Sequence, residues 1–339
     1  MRVQVFFTPN FDDSLSGYAA VVIDALRMTS VAAAAIANGC AGLLPVEQIP
    51  DAVRIARDSR ALLGGECSAL WIEGFDFSNS PGEYTRDKIA GKRLVITTTN
   101  GTRAVGKALA AKRVLLGAFI NATAVAGTLR EEEKVALICA GTEGRFTLED
   151  ALAAGCILRR ILNNRLHAKP AIQGEDERNG EEGTLLSFQG LKPSAASGGR
   201  SGAEIHFGTE RWARMCTARQ CRNAKRKQQR KASWGERDMT NFGGLDRPCK
   251  KSNRIHASLD DSAPDATLDD AARASLMLYD AIDLGRAGPD RVARLHRILR
   301  ETTHYNRLLG LGLAGDLSYC LSVDTVTAVP ERRQDGWFA

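Results

Sequence analysis

Carboxylates, guanidinium groups and hydroxyls concentrate in a few short stretches of the first half of the chain. These stretches are 24–30, 64–66, 74–81, 97–103 and 141–150. Several of them directly follow an apolar run of strand length, as Asp24 does. In an open parallel α/β sheet, ligands bind beyond the carboxyl ends of the strands, where helix N-termini offer free amides. The positions of the stretches therefore predict one common binding site.

The residue types in these stretches suit a phosphorylated anion. Asp24 and Glu66 can hold a hard divalent cation such as Mg²⁺, which takes a few carboxylates together with water and phosphate oxygens. Arg27 and Arg103 offer planar forks for phosphate or another oxyanion. Hydroxyls and amides of residues 100–102 can donate to the same anion at a helix N-terminus. The pattern predicts chemistry on a small, multiply charged phosphorylated substrate.

Each of these residues also has a purely structural explanation. Asp24 can cap the helix that follows it. Asn100-Gly101 is a common turn dipeptide, and Glu149 and Asp150 can complement a helix dipole. The coincidence of the stretches at strand ends, rather than any single residue, favours a functional site.

Several well-known catalytic motifs are absent from the sequence. There is no G-x-x-x-x-G-K-[ST] phosphate loop, no G-x-G-x-x-G after the first strand and no G-x-S-x-G elbow. Asp24 ends a strand, as the aspartyl nucleophile of a haloacid-dehalogenase-type phosphatase does. The second aspartate of that family, two residues later, is Leu26 here, which disfavours that class.

Strand-like and helix-like patterns alternate along residues 18–162. Apolar runs such as 18–24 and 135–140 predict strands covered on both faces. Thr29 or Ser30 is predicted to cap a helix over 31–38. Further helices are predicted over 50–59, 103–111, 148–162, 268–282, 291–300 and 303–309, and closing strands over 317–321 and 326–329. The alternation predicts a three-layer α/β/α fold with a mostly parallel mixed sheet.

The predicted domain consists of two parts separated by a segment of different composition. Residues 1–166 and 266–330 form one α/β domain, and 331–339 form a tail. The intervening segment 168–258 contains 18 Lys/Arg and 10 Asp/Glu, whereas the net charge of the whole chain is only +6. Its low apolar periodicity predicts a basic, disordered insertion. Its run 211–231 carries nine basic and no acidic residues, which is also typical of an RNA-binding arm.

Composition places the chain among globular cytoplasmic proteins. Its hydrophobic content is 44%, and no apolar run approaches the roughly 20 residues of a membrane span. The first residues lack the features of a signal peptide, so a cytoplasmic location is predicted. None of the eight cysteines forms a Cys-x-x-Cys pair, and reduced, mostly buried thiols are expected.

Five long stretches carry a resemblance to a known family. They are DALRMTSVAAAAIANGC, LLGGECSALWIEGFDFSNSPGEY, LVITTTNGTRAV, CAGTEGRFTLEDALAAG and GLGLAGDLSYCLSVDTVTAVP. The chain resembles the 2-phosphosulfolactate phosphatase family over most of 1–166 and 266–330. The resemblance implies a Mg²⁺-dependent acid phosphatase that hydrolyses 2-phospho-3-sulfolactate to 3-sulfolactate and phosphate, a step toward coenzyme M. Segment 168–258 has no counterpart in the family pattern, and Cys67 stands where the family commonly has a basic residue.

The residue types and the resemblance together assign roles to twelve residues. The predicted catalytic residues are Asp24, Arg27, Glu66 and Asp150, and Asp24 and Glu66 are also the predicted Mg²⁺ ligands. The predicted substrate-binding residues are Thr98, Thr99, Asn100, Gly101, Thr102, Arg103, Glu143 and Arg145. One of Glu66, Glu143 and Asp150 is expected to orient the attacking water. Direct attack by water and an aspartyl-phosphate on Asp24 are alternative routes.

The predicted partner is a small phosphorylated or sulfonated acid, with no membrane and with nucleic acid only through 211–231. A homodimer is expected as the commonest oligomer. The alternative function is a non-enzymatic, polyanion (RNA)-binding protein that uses 211–231. A third hypothesis is an enzyme scaffold inactivated by the insertion.

Overall fold

The computed structural model describes residues 1–166, 266–282 and 290–339. The predicted insertion 168–258, including the run 211–231, lies outside the described residues. The described strands are β1 (Arg2–Phe6), β2 (Ala19–Ile23), β3 (Gly42–Pro45), β4 (Leu62–Cys67), β5 (Leu70–Trp71), β6 (Arg93–Thr97), β7 (Arg113–Gly117), β8 (Lys134–Cys139) and β9 (Thr267–Leu268).

All ten described α-helices contribute buried apolar residues to the clusters that join them to the sheets or to one another; the short α3 does so through Ile89. The helices are α1 (Met28–Ala37), α2 (Ile49–Ser59), α3 (Arg86–Ile89), α4 (Gly101–Ala108), α5 (Ala122–Thr128), α6 (Leu148–Leu166), α7 (Asp270–Ala281), α8 (Asp290–Leu299), α9 (Thr303–Gly310) and α10 (Ala314–Cys320).

The strands divide between two sheets. The first has the order β7-β2-β8-β1-β9, and all of its pairings are parallel. Its strand β2 lies near the centre and is buried along its whole length, as expected for a parallel strand covered on both faces. The second sheet has the order β3-β6-β4-β5, in which only the β4–β5 pairing is antiparallel.

Helices cover both faces of the first sheet, which confirms the predicted α/β class. One face packs with α5, α6 and α7 in the largest apolar cluster. The opposite face shares a second cluster with α1, α4 and the side chains of Leu43, Leu94 and Ile96 in the second sheet. The far side of the second sheet packs on Ala52 and Ala56 of α2. The alternation of strands and helices therefore produces stacked layers with buried strands, as the apolar runs predict.

Three local predictions are wrong. Residues 317–321 fall largely in α10 instead of a strand, because Leu317, Cys320 and Leu321 are buried at helical spacing and a short apolar run does not separate the two patterns. Residues 326–329 form no strand. Helix α1 starts at Met28, so the Thr29 and Ser30 hydroxyls donate back to backbone carbonyls instead of capping it.

The last residues of the chain pack against the second sheet. The backbones of Phe338 and Leu43 exchange two hydrogen bonds, of 2.7 and 2.8 Å, and the Phe338 ring is buried. Glu331 pairs with Arg113 at 2.7 Å. The predicted tail 331–339 thus contributes to the packing of β3 and β7.

Most described cysteines match the expected buried thiols. Cys40, Cys139, Cys156 and Cys320 are free and buried. Cys67 is disulfide-bonded, which contradicts the prediction for this partly exposed residue at the end of β4. Within the described ranges, no helix is long and apolar enough to cross a membrane.

Candidate active site

The loops that follow β2, β4, β6 and β8 meet around a small cavity. Its volume is about 30 Å³, enough for a single water molecule or ion. The lining residues are Asp24, Leu26, Arg27, Glu66, Ser68, Ala69, Asn79, Thr99, Asn100, Glu143 and His304. A larger cavity of about 750 Å³ shares Arg27, Glu66, Ala69 and Asn79 with it. Six of the twelve predicted site residues are therefore brought together at this position.

Asp24 occupies the turn between β2 and α1. Its backbone N–H donates to the Thr29 hydroxyl at 3.1 Å, and this hydroxyl donates back to the Asp24 carbonyl at 2.8 Å. A Cβ atom at position 101 would lie 2.6 Å from Oδ2 of Asp24. Only glycine at position 101 therefore lets α4 begin so close to this carboxylate. The positive N-terminal end of the helix dipole favours the negative charge of the carboxylate at this position.

Burial raises the pKa of the Asp24 carboxyl to about 6, although the charge of His304 opposes the rise. Repulsion from Glu66 and Glu149 adds to the effect of burial. Any cation that enters the cavity would stabilise the ionised form of this carboxyl group.

Glu66 is held in place by donors from two loops. Its Oε1 accepts a hydrogen bond of 2.7 Å from the Thr99 N–H. Its Oε2 accepts from the Ala69 N–H and, at 3.3 Å, from the Thr99 hydroxyl. Ser68 and Ala69 adopt left-handed backbone conformations, which turn the chain back toward the carboxylate. Before the turn, a Cβ at Gly65 would lie 1.9 Å from the Thr97 carbonyl oxygen, so β4 and β6 approach closely only because residue 65 is glycine.

Arg27 is buried and anchored by a residue from the end of the chain. Its Nη1 pairs with Oδ2 of Asp316 at 2.5 Å. The Ser80 hydroxyl donates to the other oxygen of Asp316, also at 2.5 Å. Arg27 lines both cavities. Because Asp316 fixes one end of the planar guanidinium, the remaining N–H groups are held ready for an anion.

His304 of α9 lies against Glu149 at the start of α6. The His304 Nδ1 and Glu149 Oε1 atoms are 2.5 Å apart, and Glu149 is buried. Burial lowers the pKa of the His304 imidazole, but the hydrogen bond and charge of Glu149, together with Asp24 and Asp150, raise it on balance. Because Nδ1 is bound to Glu149, Nε2 is the ring nitrogen left for a ligand in the cavity.

Asp150 ties two strand-end loops together. Its Oδ1 accepts from the Ala25 N–H and its Oδ2 from the Gly141 N–H, each at 2.9 Å. Burial and the charges of Glu149 and Asp24 raise the pKa of Asp150 well above its usual value. Asp150 lines neither cavity, so this geometry favours positioning of the loops over contact with a ligand.

The polar stretch after β6 has two different parts. Thr98 and Thr102 are buried and bond each other across the first turn of α4. Thr99 and Asn100 line the small cavity. The Asn100 side-chain oxygen accepts from the Glu143 N–H at 3.0 Å. Thus only the middle of this stretch reaches the cavity, and its ends stabilise the helix start.

Three predicted substrate-binding residues lie at the surface. Arg103 and Arg145 are exposed and line neither cavity. Arg103 lies on the exposed side of α4, two residues after the buried Gly101. Glu143 is exposed but does line the small cavity, and it pairs with Arg307 at 3.6 Å. Arg307 also donates to the Ser68 carbonyl at 3.0 Å.

The sequence patterns contain no signal for His304, and they placed Asn79 and Glu149 in the predicted stretches 74–81 and 141–150 without assigning either a role in the site. From the sequence, Asp316 is a weaker candidate for an acid, because its Gly-Asp-Leu context fits a turn at the start of a strand equally well. The sequence signals of these four residues are weak or absent. His304 and Asp316 lie in helices that are distant along the chain from the strand-end stretches, Glu149 is an acidic residue at a helix start, and Asn79 is an asparagine in a loop. Their contribution becomes visible only when α9 and α10 pack beside the strand ends.

The charge and donor type of the predicted Mg²⁺ ligands suit a hard divalent cation. Asp24 and Glu66 line one cavity, and their mutual repulsion contributes to the raised pKa of Asp24. Mg²⁺ is usually bound by one or two carboxylates plus water and substrate oxygens. Within the ranges that the structure describes, no group of three or more His, Cys, Asp and Glu residues is arranged to hold a metal ion. The two carboxylates therefore fit a Mg²⁺ ion completed by water and phosphate, and do not fit an all-protein metal cage.

The mostly parallel sheets define an α/β protein, with a buried arginine and carboxylates at its strand ends. A family model described as 2-phosphosulpholactate phosphatase matches residues 7–187, more than half of the chain. The chain therefore belongs to the 2-phosphosulfolactate phosphatase family, a family of hydrolases. The resemblance and the enzyme class predicted from the sequence are confirmed.

Curated relatives agree with this family. Proteins named "Probable 2-phosphosulfolactate phosphatase" match from Clostridium novyi, with 47% identity over 157 residues, and from Caldicellulosiruptor saccharolyticus, with 49% over 160 residues. A Thermotoga maritima protein of the same name is 44% identical over 147 residues. The matches cover 45%, 45% and 43% of this chain and 67%, 66% and 64% of the relatives. The chain thus spans about two thirds of the length of these relatives.

Proposed function

We propose that this chain is a Mg²⁺-dependent phosphomonoester hydrolase that converts 2-phospho-3-sulfolactate and water to 3-sulfolactate and phosphate. The observation that carries the proposal is the buried guanidinium of Arg27 beside the carboxylates of Asp24 and Glu66 in one small cavity. In one cavity, an arginine can bind a phosphate monoester directly, and two carboxylates can bind it through a cation.

The phosphoryl group binds through Arg27. Asp316 fixes Nη1 of Arg27, so the guanidinium approaches the anion in one orientation and loses little side-chain entropy on binding. Asp24 and Glu66 hold Mg²⁺, which supplies charge neutralisation at the phosphate oxygens when it is bound.

Glu143 is the best candidate to receive the proton of the attacking water. Of the three carboxylates predicted for this role, Asp150 lines neither cavity, and both Glu66 oxygens accept backbone N–H bonds. Glu143 lines the small cavity, and only its pairing with Arg307 occupies its carboxylate among the described residues. Water attacks phosphorus as its proton passes to Glu143, and the ester P–O bond breaks.

His304 donates a proton to the leaving oxygen from Nε2. Glu149 holds Nδ1 and raises the pKa of the imidazole on balance against burial, which keeps the proton available at neutral pH. The alcohol product leaves with this proton, and solvent exchange returns both groups to their starting states.

Phosphate release from 2-phospho-3-sulfolactate, measured with Mg²⁺ and with EDTA, tests the function. We expect release only with Mg²⁺, and strong loss in Asp24→Asn but not in Asp58→Asn, a matched change at an exposed aspartate of α2. Wild-type protein that releases no phosphate with Mg²⁺ would refute the function. Full activity of Asp24→Asn would refute the role of Asp24, and full activity of Glu143→Gln would favour direct attack by Asp24 instead.

The remaining predictions accompany this proposal without support from the described residues. The cytoplasmic location, the homodimer and the link to coenzyme M synthesis stay predictions from the sequence. The alternative of a polyanion-binding protein depends on 211–231, outside the described residues, and no observation favours it.

A further inference from the structure

The larger cavity extends the catalytic cavity instead of forming a separate site. It has a volume of about 750 Å³ and shares Arg27, Glu66 and Asn79 with the small cavity. Pockets for drug-sized ligands usually measure about 300–1,000 Å³. A phosphorylated three-carbon acid occupies only a fraction of this space, so the cavity has room for a larger organic group next to the phosphoryl position.

One wall of this cavity is apolar and solvent-facing. Leu70 and Trp71 come from β5, and Leu311 follows α9 in the C-terminal part of the chain. The three side chains are 52%, 55% and 42% exposed. Large apolar side chains from two distant parts of the chain thus meet at one cleft, which is typical of a ligand-binding surface.

The Trp71 indole is fixed in position beside the catalytic cavity. Its Nε1 donates to the Phe75 carbonyl at 3.2 Å. In the antiparallel β4–β5 pairing, Trp71 lies directly opposite Glu66. Because both the ring and its strand are held, the indole offers a rigid aromatic surface at a set distance from the proposed cation ligand.

Asn79 adds a polar anchor where the two cavities join. It is 4% exposed and lines both cavities. Its side-chain oxygen has no hydrogen-bond partner in the described part of the chain. An unpaired buried acceptor is costly, and a donor from a bound ligand would satisfy it.

The acidic residues of the larger cavity are already used. Oδ2 of Asp76 accepts from the Leu63 N–H at 2.8 Å, and Oε2 of Glu83 accepts from the Ser78 N–H at 2.7 Å. At least one oxygen of each of these two carboxylates is therefore engaged by a backbone N–H group.

We propose that the larger cavity binds the organic part of a phosphorylated acid that carries an apolar or aromatic group. This group packs on Trp71 and Leu311, and a hydroxyl or amide donor of the ligand bonds to Asn79. The inference rests on the proposed phosphatase function, and it names a substrate class larger than phosphosulfolactate.

A matched substrate pair tests the inference. 2-Phospholactate and 2-phospho-3-phenyllactate differ only by a phenyl group. We expect wild-type kcat/KM to be about tenfold higher for the phenyl compound, the size of effect expected for burying a ring. In Trp71→Ala this advantage falls to about twofold, mainly through KM, while 2-phospholactate is hydrolysed within about twofold of wild type.

Control variants separate binding from folding. Leu311→Ala changes the other apolar part of the wall. It is expected to reduce the logarithm of the kcat/KM ratio between the phenyl compound and 2-phospholactate by about half. Met277→Ala, which is 56% exposed on α7 and lines neither cavity, keeps the full advantage. If Trp71→Ala fails to fold, Trp71→Phe retains a ring and is expected to retain most of the preference.

The outcomes distinguish this inference from the proposed function. Equal kcat/KM for both compounds in wild type overturns the larger binding site and leaves the phosphatase function intact. If no compound is hydrolysed, the phosphatase function fails, and calorimetric measurement of binding then tests the inference. Tighter binding of 2-phospho-3-phenyllactate to wild type than to Trp71→Ala would support the larger binding site. Equal binding to the two proteins would overturn it. A Trp71→Ala variant that changes only the oligomeric state in gel filtration assigns the apolar wall to a subunit contact and overturns the inference.

Discussion

The N-terminal region (1–166) and the C-terminal region (266–282 and 290–339) contribute to the same cavity in different ways. The N-terminal region supplies the strand-end groups that would touch a substrate, such as Asp24, Arg27 and Glu66. The C-terminal region supplies groups that hold or complete them: Asp316 on Arg27, and His304 against Glu149.

The family match follows the same division. It covers 7–187 and therefore includes the strand-end motifs but not α9 or α10. The difference teaches that most of the proposed reacting groups lie within the matched residues, while His304 and Asp316, which complete the site, lie beyond them. The predictions below separate these two contributions.

The largest effect is expected at the N-terminal centre of the site. Asp24→Asn removes one of the two proposed Mg²⁺ ligands, so we expect kcat/KM to fall on the order of 10³-fold. Thermal unfolding provides a second measurement, because Mg²⁺ should raise the Tm of the wild type and not that of Asp24→Asn. An equal Mg²⁺-dependent rise in both proteins would place the cation elsewhere.

The next effect is expected from His304 in the C-terminal region. His304→Gln should lower kcat about 10²- to 10³-fold, as loss of a general acid does. An acid must be protonated, so activity falls as the pH rises through the pKa of His304. Because Glu149 raises this pKa, Glu149→Gln should move the alkaline limb of the kcat/KM profile to lower pH. An unchanged alkaline limb would contradict the acid role.

A smaller effect is expected from Asp316, which acts through Arg27. Asp316→Ala leaves the buried guanidinium without its partner, and we expect a fall in kcat/KM of about 10- to 100-fold, mainly through KM. Asp316→Asn can still accept a hydrogen bond and should retain more activity. If both variants lose kcat with KM unchanged, Asp316 takes part in the chemistry and does not merely position Arg27.

The pH dependence of stability tests the raised pKa of Asp24. In the unfolded chain this carboxyl titrates near 3.8, and in the folded protein near 6. Between these values the native state binds more protons, so the free energy of unfolding decreases as the pH rises, by on the order of 1–3 kcal/mol. In EDTA, the free energy of unfolding of Asp24→Asn should decrease less than that of wild type between these pH values. The variant should therefore be more stable than wild type at pH 7. Denaturant unfolding at pH 4 and pH 7 measures both.

The smallest effect is expected for two exposed arginines that the sequence analysis placed in the site. Arg103→Ala and Arg145→Ala remove side chains that line neither cavity, so kcat/KM should change less than about threefold. Arg27→Ala is the matched comparison and should lose far more. A large loss in Arg103→Ala would return this residue to the anion site.

Prediction from the sequence succeeded where the signal is local. The apolar run before Asp24 predicts a buried parallel strand, and β2 is buried at all five positions. The placement of Asp24, Glu66 and Asn100 near one another follows from the rule that strand ends share an edge. The same rule does not predict which side chains face the cavity. Arg103 and Thr99 belong to one motif, yet Arg103 is exposed and Thr99 lines the cavity.

Closing strands were predicted where α10 forms, and this error explains why Asp316 was undervalued. A short run such as Leu317–Leu321 has apolar residues compatible with either period. Only packing against the rest of the chain selects the helix, and the helix in turn carries Asp316 to Arg27.

The sequence by itself determined the α/β class, the family and the polar stretches at strand ends, because periodicity and motif order are written in neighbouring residues. The tertiary structure alone decided which members of those stretches face the cavity and which distant residues complete it. Partners such as Glu149 and His304 are 155 positions apart, and no local pattern encodes a contact between side chains that only the folded backbone brings within hydrogen-bonding distance.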